Sequence, residues 1–319
     1  MTSRHPIRFG LQTAPERAEW LELVKVWKFA EDLGYDTIWT SDHFVTSLFQ
    51  DEPETTVLDG WTALAGLAVL TSRVRLGVMI TGNMYRHPPQ LARIAATIDH
   101  MTNGRLIMGI GAGWHELEHG MYGVPFPSPA ERAHRMAETV QIFKLLWTEP
   151  RATFKGEYYE LRDAIAEPKP VQKPHIPIWI GGWGEKIMLK YVAMYGDGWN
   201  LTGSPISLPP KLEALERHCE SVGRDIGEIE KSVMHMGLYM TEDQEWVRRY
   251  IEGRSYKRAQ GFENMKGHFM IGTPEEMRET IGKLIDLGFT HFVAQIVQPY
   301  DYDAIERWYR EVALSFKAA

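Results

Sequence analysis

Apolar and polar positions along the chain alternate between two periods, and the alternation repeats. Ile7–Leu11 (IRFGL) is a short apolar run that reads as a strand, and Arg17–Leu33 then carries Trp20, Leu23, Val24, Trp27, Phe29 and Ala30 at helical spacing before Gly34 stops it. The same pair recurs three times: strand Tyr35–Trp39 with helix Val57–Thr71, strand Val74–Ile80 with helix Pro88–Met101, and strand Arg105–Gly111 with helix Glu131–Trp147. Pro88 at the opening turn of its helix gives up an N–H that has no partner there in any case.

Between the fourth strand and its helix the rhythm breaks. Trp114–Ala130 holds Gly120, Gly123, Pro125, Pro127 and Pro129, the composition of a binding loop or lid. Ala152–Leu161 reads as a hairpin about Lys155-Gly156, and Pro168–Pro177 as a proline-rich connection. The second half resumes with strand Ile178–Ile180, helix Glu185–Tyr195, a short strand end at Gly196–Asn200, helix Leu212–Val222, strand Lys231–Met240 and the charged helix Glu242–Arg258. Phe262–Phe269 has no legible period. Thr273-Pro274-Glu275-Glu276 caps a helix that reaches Leu287-Gly288, followed by strand Phe289–Val297 and a closing helix, Tyr302–Phe316. About eight strand–helix units imply an α/β chain folded as one (β/α)8 TIM barrel spanning residues 1–319, with an insertion after strand 4 and further insertions in the second half.

Composition narrows the function classes. A net charge of −7 is the wrong sign for coating nucleic-acid phosphates. The single cysteine, Cys219, excludes an intrachain disulfide and a cysteine-cluster metal site, and fits a reducing cytoplasm. MTSRHPIRFG lacks the apolar core of a signal peptide, and no apolar run reaches membrane-spanning length.

The chemistry-bearing residues gather at strand ends, the rim on which barrel enzymes build their sites. Asp42-His43 follows the second strand. A carboxylate beside an imidazole suits proton transfer or hydrogen bonding to a polar heterocycle, or, more simply, a capped turn beside a half-buried histidine. Gly77-Val78 sits in a strand of large residues, where a glycine marks close approach or plain barrel packing. Tyr85-Arg86-His87 adds a cation that could meet an anionic ligand. Gly111-Ala112-Gly113 lets backbone approach a ligand but lacks the G-x-G-x-x-G lead into a helix that a dinucleotide site needs. Gly181-Gly182-Trp183-Gly184 does run straight into a helix, so free N–H groups and the positive helix end would face a phosphate. His115, Glu118 and His119 in HELEH are not an H-E-x-x-H pair and offer no clear third ligand, so no metal is expected. No G-x-S-x-G elbow or exposed cysteine supplies a covalent nucleophile.

Taken in order, FGLQ, WTSDHF, VRLGVMITGNMYRHP, NGRLIMGIGAGWHELEHGMYGVPF, IPIWIGG and GDGWN resemble the bacterial luciferase-like monooxygenase family over nearly the whole chain. Asp-His after strand 2 together with GIGAGW…EH after strand 4 looks most like its deazaflavin branch. The resemblance implies a homodimeric oxidoreductase that moves a hydride between coenzyme F420 and a small organic substrate; the alternative is an FMN-dependent monooxygenase using reduced FMN and oxygen. It further implies that Asp42 and His43 lie beside the deazaflavin ring and act in catalysis. Gly77-Val78 would hold a non-prolyl cis peptide behind the ring, Gly111, Ala112 and Gly113 would run along it, and Gly181, Gly182, Trp183 and Gly184 would meet the phosphate. Trp39, Phe44, Trp114 and Trp183 would wall the pocket. Members acting on sugar phosphates carry an extra acid in the fourth loop and a lysine-rich pocket, neither of which is located in this sequence.

Overall fold

The computed structural model describes residues 4–49, 52, 54–253 and 261–317. Eight parallel strands form its centre: β1 (Arg8–Thr13), β2 (Thr37–Thr40), β3 (Arg75–Val78), β4 (Leu106–Gly111), β5 (Ile178–Gly181), β6 (Gly198–Leu201), β7 (Glu230–His235) and β8 (His291–Ile296). Each pairs with the next, and β8 returns to β1 through Arg8↔His291 to Thr13↔Ile296, so the sheet closes. Helices α1 (Trp20–Leu33), α2 (Gly60–Ala68), α3 (Pro88–Met101), α4 (Pro129–Thr148), α5 (Met188–Tyr195), α6 (Pro209–Ser221), α7 (Pro274–Asp286) and α8 (Tyr302–Arg307) follow the strands in turn. Local signals set several of their ends. Gly34 takes φ 108° and closes α1, and Thr273 and Glu276 form a reciprocal capping box at α7. Among the described residues no helix is long and apolar enough to cross a membrane.

Alternation along the strands sends one set of side chains outward, where Phe9, Leu11, Ile38, Leu76, Met108, Ile110 and Phe292 pack under the helices. The other set fills the barrel in layers. At the amino-terminal end Arg8 donates to Glu230 at 2.7 Å, Glu230 accepts from His291 Nδ1 at 2.9 Å, and His291 Nε2 lies 2.8 Å from the Thr37 hydroxyl. Trp39 and Trp179 lie above this polar plug with ring centroids 5.1 Å apart. Each indole faces a glycine across the ladder, Trp39 against Gly77 and Trp179 against Gly198. A Cβ on Gly77 would come within 2.7 Å of Trp39 and 2.3 Å of the Ile107 carbonyl; one on Gly198 would come within 2.3 Å of Trp179. Gly77 therefore serves the packing that a strand glycine can equally mean.

Four departures from the sequence pattern matter. The run expected as one strand, Lys231–Met240, breaks at Gly237, whose φ of 154° suits glycine. Its first part stays in the barrel as β7, while Leu238–Met240 pairs in parallel with Met270–Gly272 outside it. Phe262–Phe269 contributes a short helix, Phe262–Lys266, to that excursion. The charged helix covers Gln244–Glu252, and the remainder of its expected range, 254–258, lies outside the described residues. The closing helix is interrupted by a π-helical turn at Trp308–Ala313.

Burial alone would push the Glu230 carboxyl upward, but His291 and Arg8 overcome it and hold it at about 2. Its stabilising contribution is therefore fully present above the ordinary value of 4.5 and is lost as pH falls toward 2. Glu230→Ala leaves the half-buried Arg8 and the buried His291 without their shared carboxylate and is expected to lower unfolding stability by about 2–3 kcal/mol at neutral pH, with a smaller gap to wild type in acid. Urea denaturation at several pH values checks both; an equal gap throughout contradicts the assignment.

Candidate active site

The carboxyl ends of the strands form a rim on which most of the expected site residues meet. Thr40 ends β2, and Ser41-Asp42-His43-Phe44 follows as a turn. The two members of the Asp42-His43 pair have separate environments. Asp42 is 2% exposed and takes a 2.7 Å bond from Arg86, whose second nitrogen reaches Asp59 at 2.8 Å. Asp59 in turn caps α2 through the Thr62 N–H. Burial raises the Asp42 carboxyl while Arg86 pulls it down. Both Asp42 and Arg86 are thus occupied with each other, and Arg86 is not a free anion-binding group.

His43 has a different partner. Its Nδ1 lies 2.9 Å from Glu118, a residue of the short helix Glu116–Met121 in the insertion after β4. The Glu118 side chain is fully buried, accepts the Phe44 N–H at 2.8 Å and takes a further hydrogen bond from the Tyr85 hydroxyl. Burial opposes its charge, yet His43, Tyr85 and the Phe44 N–H together hold it at about 2. The same contact, added to burial, pushes the Tyr85 phenol far up, so that hydroxyl stays a donor. Because Glu118 is ionised, the hydrogen of neutral His43 belongs on Nδ1, which leaves an Nε2 lone pair with no hydrogen-bond partner among the described residues. His115 packs beside this pair, stacked on Trp114 at 5.0 Å, with Nδ1 3.6 Å from Glu118.

Glycine-lined backbone lies next to this cluster. Gly111 pairs with Gly181 on one side and with Gly82 on the other. Cβ atoms on Gly181 and Gly111 would lie 2.8 Å and 3.1 Å from the Ile80 side chain. The non-prolyl cis peptide expected at Gly77-Val78 instead joins Met79 and Ile80, two residues further toward the rim. Gln12 donates to the Met79 carbonyl at 2.7 Å and is itself held by Gln295 at 2.8 Å. Ala112 and Gly113 continue from β4 half-buried, Gly113 with φ 83°. Gly182 differs from expectation: its N–H donates to Asn200 at 3.1 Å and its carbonyl accepts from the Trp199 indole at 2.8 Å. The N–H groups of the next residues, Trp183, Gly184 and Glu185, and those of Lys186 and Ile187 before α5, have no hydrogen-bond partner among the described residues. Trp114 and Trp183 are 59% and 57% exposed on the rim, Phe44 is half-buried, and Trp39 belongs to the barrel interior.

The sequence placed Glu118 only as an unconvincing metal ligand. Its partners, 75 residues away at His43 and 33 away at Tyr85, follow from closure of the barrel, and no local spacing records them.

A family model described as luciferase-like monooxygenase matches residues 3–291. The chain belongs to that family. Among curated proteins it is similar to the F420-dependent glucose-6-phosphate dehydrogenase of Kineococcus radiotolerans, 30% identical over 318 residues that cover 92% of each chain. Among solved structures, an F420-dependent secondary alcohol dehydrogenase in complex with an F420-acetone adduct superimposes with a TM-score of 0.83 at 22% identity, covering 97% of this chain and 99% of that one. The coenzyme F420-dependent tetrahydromethanopterin reductase of Methanopyrus kandleri gives 0.81 at 23% identity, covering 98% of this chain and 100% of that one. These two likenesses establish the shared barrel.

Glu118→Gln keeps the shape but removes the charge that three donors share. It is expected to cost about 1–3 kcal/mol of stability at pH 7. The gap to wild type should narrow as pH falls from about 4.5 toward 2, where the wild-type carboxyl gains its proton. Urea midpoints across that range check this; a pH-independent gap contradicts an ionised Glu118.

Proposed function

We propose that this luciferase-like chain is an F420-dependent oxidoreductase acting on a small organic substrate at an alcohol or carbonyl carbon, with His43 as its proton carrier. The observation that carries the proposal is the His43–Glu118 pair: a histidine fixed at Nδ1 by a buried carboxylate, its other nitrogen unpartnered beside a glycine-lined rim. The 30% identical relative, whose name includes F420 dependence, supports the choice of cofactor.

The rim fits such a group. Gly111 and Gly181 leave room for the Ile80 side chain, which a Cβ on either would meet within 3.1 Å, and so let the Met79–Ile80 segment lie close against this end of the barrel, where a flat ring would rest. In this reading Gly111, Ala112, Gly113 and the Met79–Ile80 segment hold the ring, with Gly77 and Val78 supporting it from below. Gly181 and Gly182 shape the next loop, and the N–H groups of Trp183, Gly184 and Glu185 meet the phosphate just before α5. When bound, F420 supplies a two-electron hydride acceptor or donor. His43 Nε2 takes the proton of a substrate hydroxyl, or returns one to a carbonyl oxygen in the reverse direction. Glu118 stabilises the imidazolium that forms, and Tyr85 with the Phe44 N–H keeps Glu118 from turning away. Asp42 positions the turn through Arg86 and does not touch substrate. Trp114, Trp183 and Phe44 exclude water. The same reading includes a homodimer, as the family resemblance implies, in the reducing cytoplasm that the single cysteine fits.

Fluorescence titration with F420 and with FMN, followed by F420-linked assays on secondary alcohols and on glucose 6-phosphate, tests the proposal. F420 binding and turnover are expected, with His43→Ala lowering kcat by about 10²–10⁴-fold while F420 affinity changes little. Binding of FMN alone with oxygen uptake from reduced FMN, or an unchanged kcat in His43→Ala, overturns it.

A further inference from the structure

The HELEH segment does not use its two histidines as a pair. His119 turns away to the Pro125 carbonyl at 3.0 Å and packs on Phe126 and Tyr85. His115 instead turns toward Glu118, and the missing third group arrives from another strand end. Ligand atoms of His43, His115 and Glu118 all lie within 4.8 Å of one another. The shorter separations are 2.9 Å from His43 Nδ1 to Glu118 and 3.6 Å from His115 Nδ1 to the same oxygen. His115 is 5% exposed, and its Nδ1 is buried with no hydrogen-bond partner. A polar atom in that state, aimed at a buried carboxylate, is short of a partner.

We propose that these three side chains form a binding site for a borderline divalent transition metal, with zinc as the type ion, and that its occupancy switches off proton transfer at His43. Two imidazole nitrogens and one carboxylate oxygen are a donor set of the kind that zinc, cobalt and nickel take, and not one suited to magnesium or calcium. Metal–ligand bonds of about 2.0–2.2 Å in tetrahedral array place donor atoms roughly 3.3–3.6 Å apart, within the spread found here. The surroundings are built for the role: Tyr85 and the Phe44 N–H orient Glu118, and Trp114 backs His115. The switch follows from the tautomer. A metal on Nδ1 of neutral His43 requires its single ring hydrogen to sit on Nε2. No proton is lost, but Nε2 then has no lone pair with which to accept one from substrate.

The binding claim is independent of the redox reading; the inhibition claim rests on it. Metal-stripped chain without cofactor is titrated with Zn²⁺ by calorimetry and with Co²⁺ by visible absorption. One ion per chain is expected, with the intense d–d bands of low-coordinate cobalt. His115→Ala and Glu118→Gln should each weaken binding by about a hundredfold or more, beyond the loss of an outer-shell partner, while His119→Ala leaves it unchanged; near-UV circular dichroism verifies folding of each variant. No stoichiometric binding, or binding that a folded His115→Ala retains, overturns the site. Zn²⁺ should abolish F420-linked turnover with the midpoint seen in calorimetry, and EDTA should restore it. A loaded site with unchanged turnover overturns the switch. A loaded site on a chain that never turns over F420, even when metal-free, keeps the metal site and removes the redox reading.

Discussion

The Glu118 carboxylate is the constraint on which the rim depends. Its side chain is closed off from solvent, and an unpaired charge at that depth would cost several kcal/mol. Hydrogen bonds to a charged group contribute about 1.5–3 kcal/mol each, so three donors decide the balance in favour of ionisation, consistent with a carboxyl held near 2. The donors come from the turn after β2 and the segment after β3, and Glu118 itself from the insertion after β4. One charge therefore ties three otherwise irregular segments together. Asp42 shows the opposite outcome, because its burial outweighs the charge that faces it. It shares its one cation with Asp59, whose charge works against it, and its carboxyl moves upward.

What lies beneath makes such precision possible. The ion-paired plug of Arg8, Glu230 and His291 closes the amino-terminal end, and two tryptophans press into the spaces left by Gly77 and Gly198. Interiors packed in this way deform little. The Gln12–Gln295 pair then connects the barrel to the Met79 carbonyl directly under the rim. A rigid floor with charge-pinned loops above it fixes the direction of the His43 ring.

The strand–helix rhythm was legible because it is local: a period of two, then 3.6, with punctuation such as Gly34 and the Thr273 capping box in the chain itself. The site was legible as a set of strand ends, since parallel barrels bring those ends together whatever their sequence. Pairings were not. His43 shares no local pattern with Glu118, and HELEH invited a search for a partner four residues away when the partner lay across the barrel. Gly77 was readable as close approach, but not as room for Trp39. The break at Gly237 was hidden because Val233–Met240, interrupted only by His235 and Gly237, reads as one mostly apolar run across the end of β7 and the outlying strand.

Function at this rim is best argued from what is left uncommitted once internal pairings are counted. Asp42, Arg86 and Asp59 satisfy one another, and both peptide groups of Gly182 are taken. What remains includes the Nε2 lone pair of His43, the buried Nδ1 of His115, the buried Ser41 hydroxyl, Asn83 Oδ1 and His119 Nε2, the successive N–H groups from Trp183 onward and two exposed indole faces. An apolar wall, a short row of amides and one oriented base suit a ligand with a flat ring and an anionic tail, positioned beside a substrate that must exchange a proton. A buried polar atom without a partner calls for an explanation, and a bound ligand is one. The unpaired Nδ1 of His115 is such an atom, and it lies within reach of the same carboxylate that orients the base. Whatever binds there must act on His43.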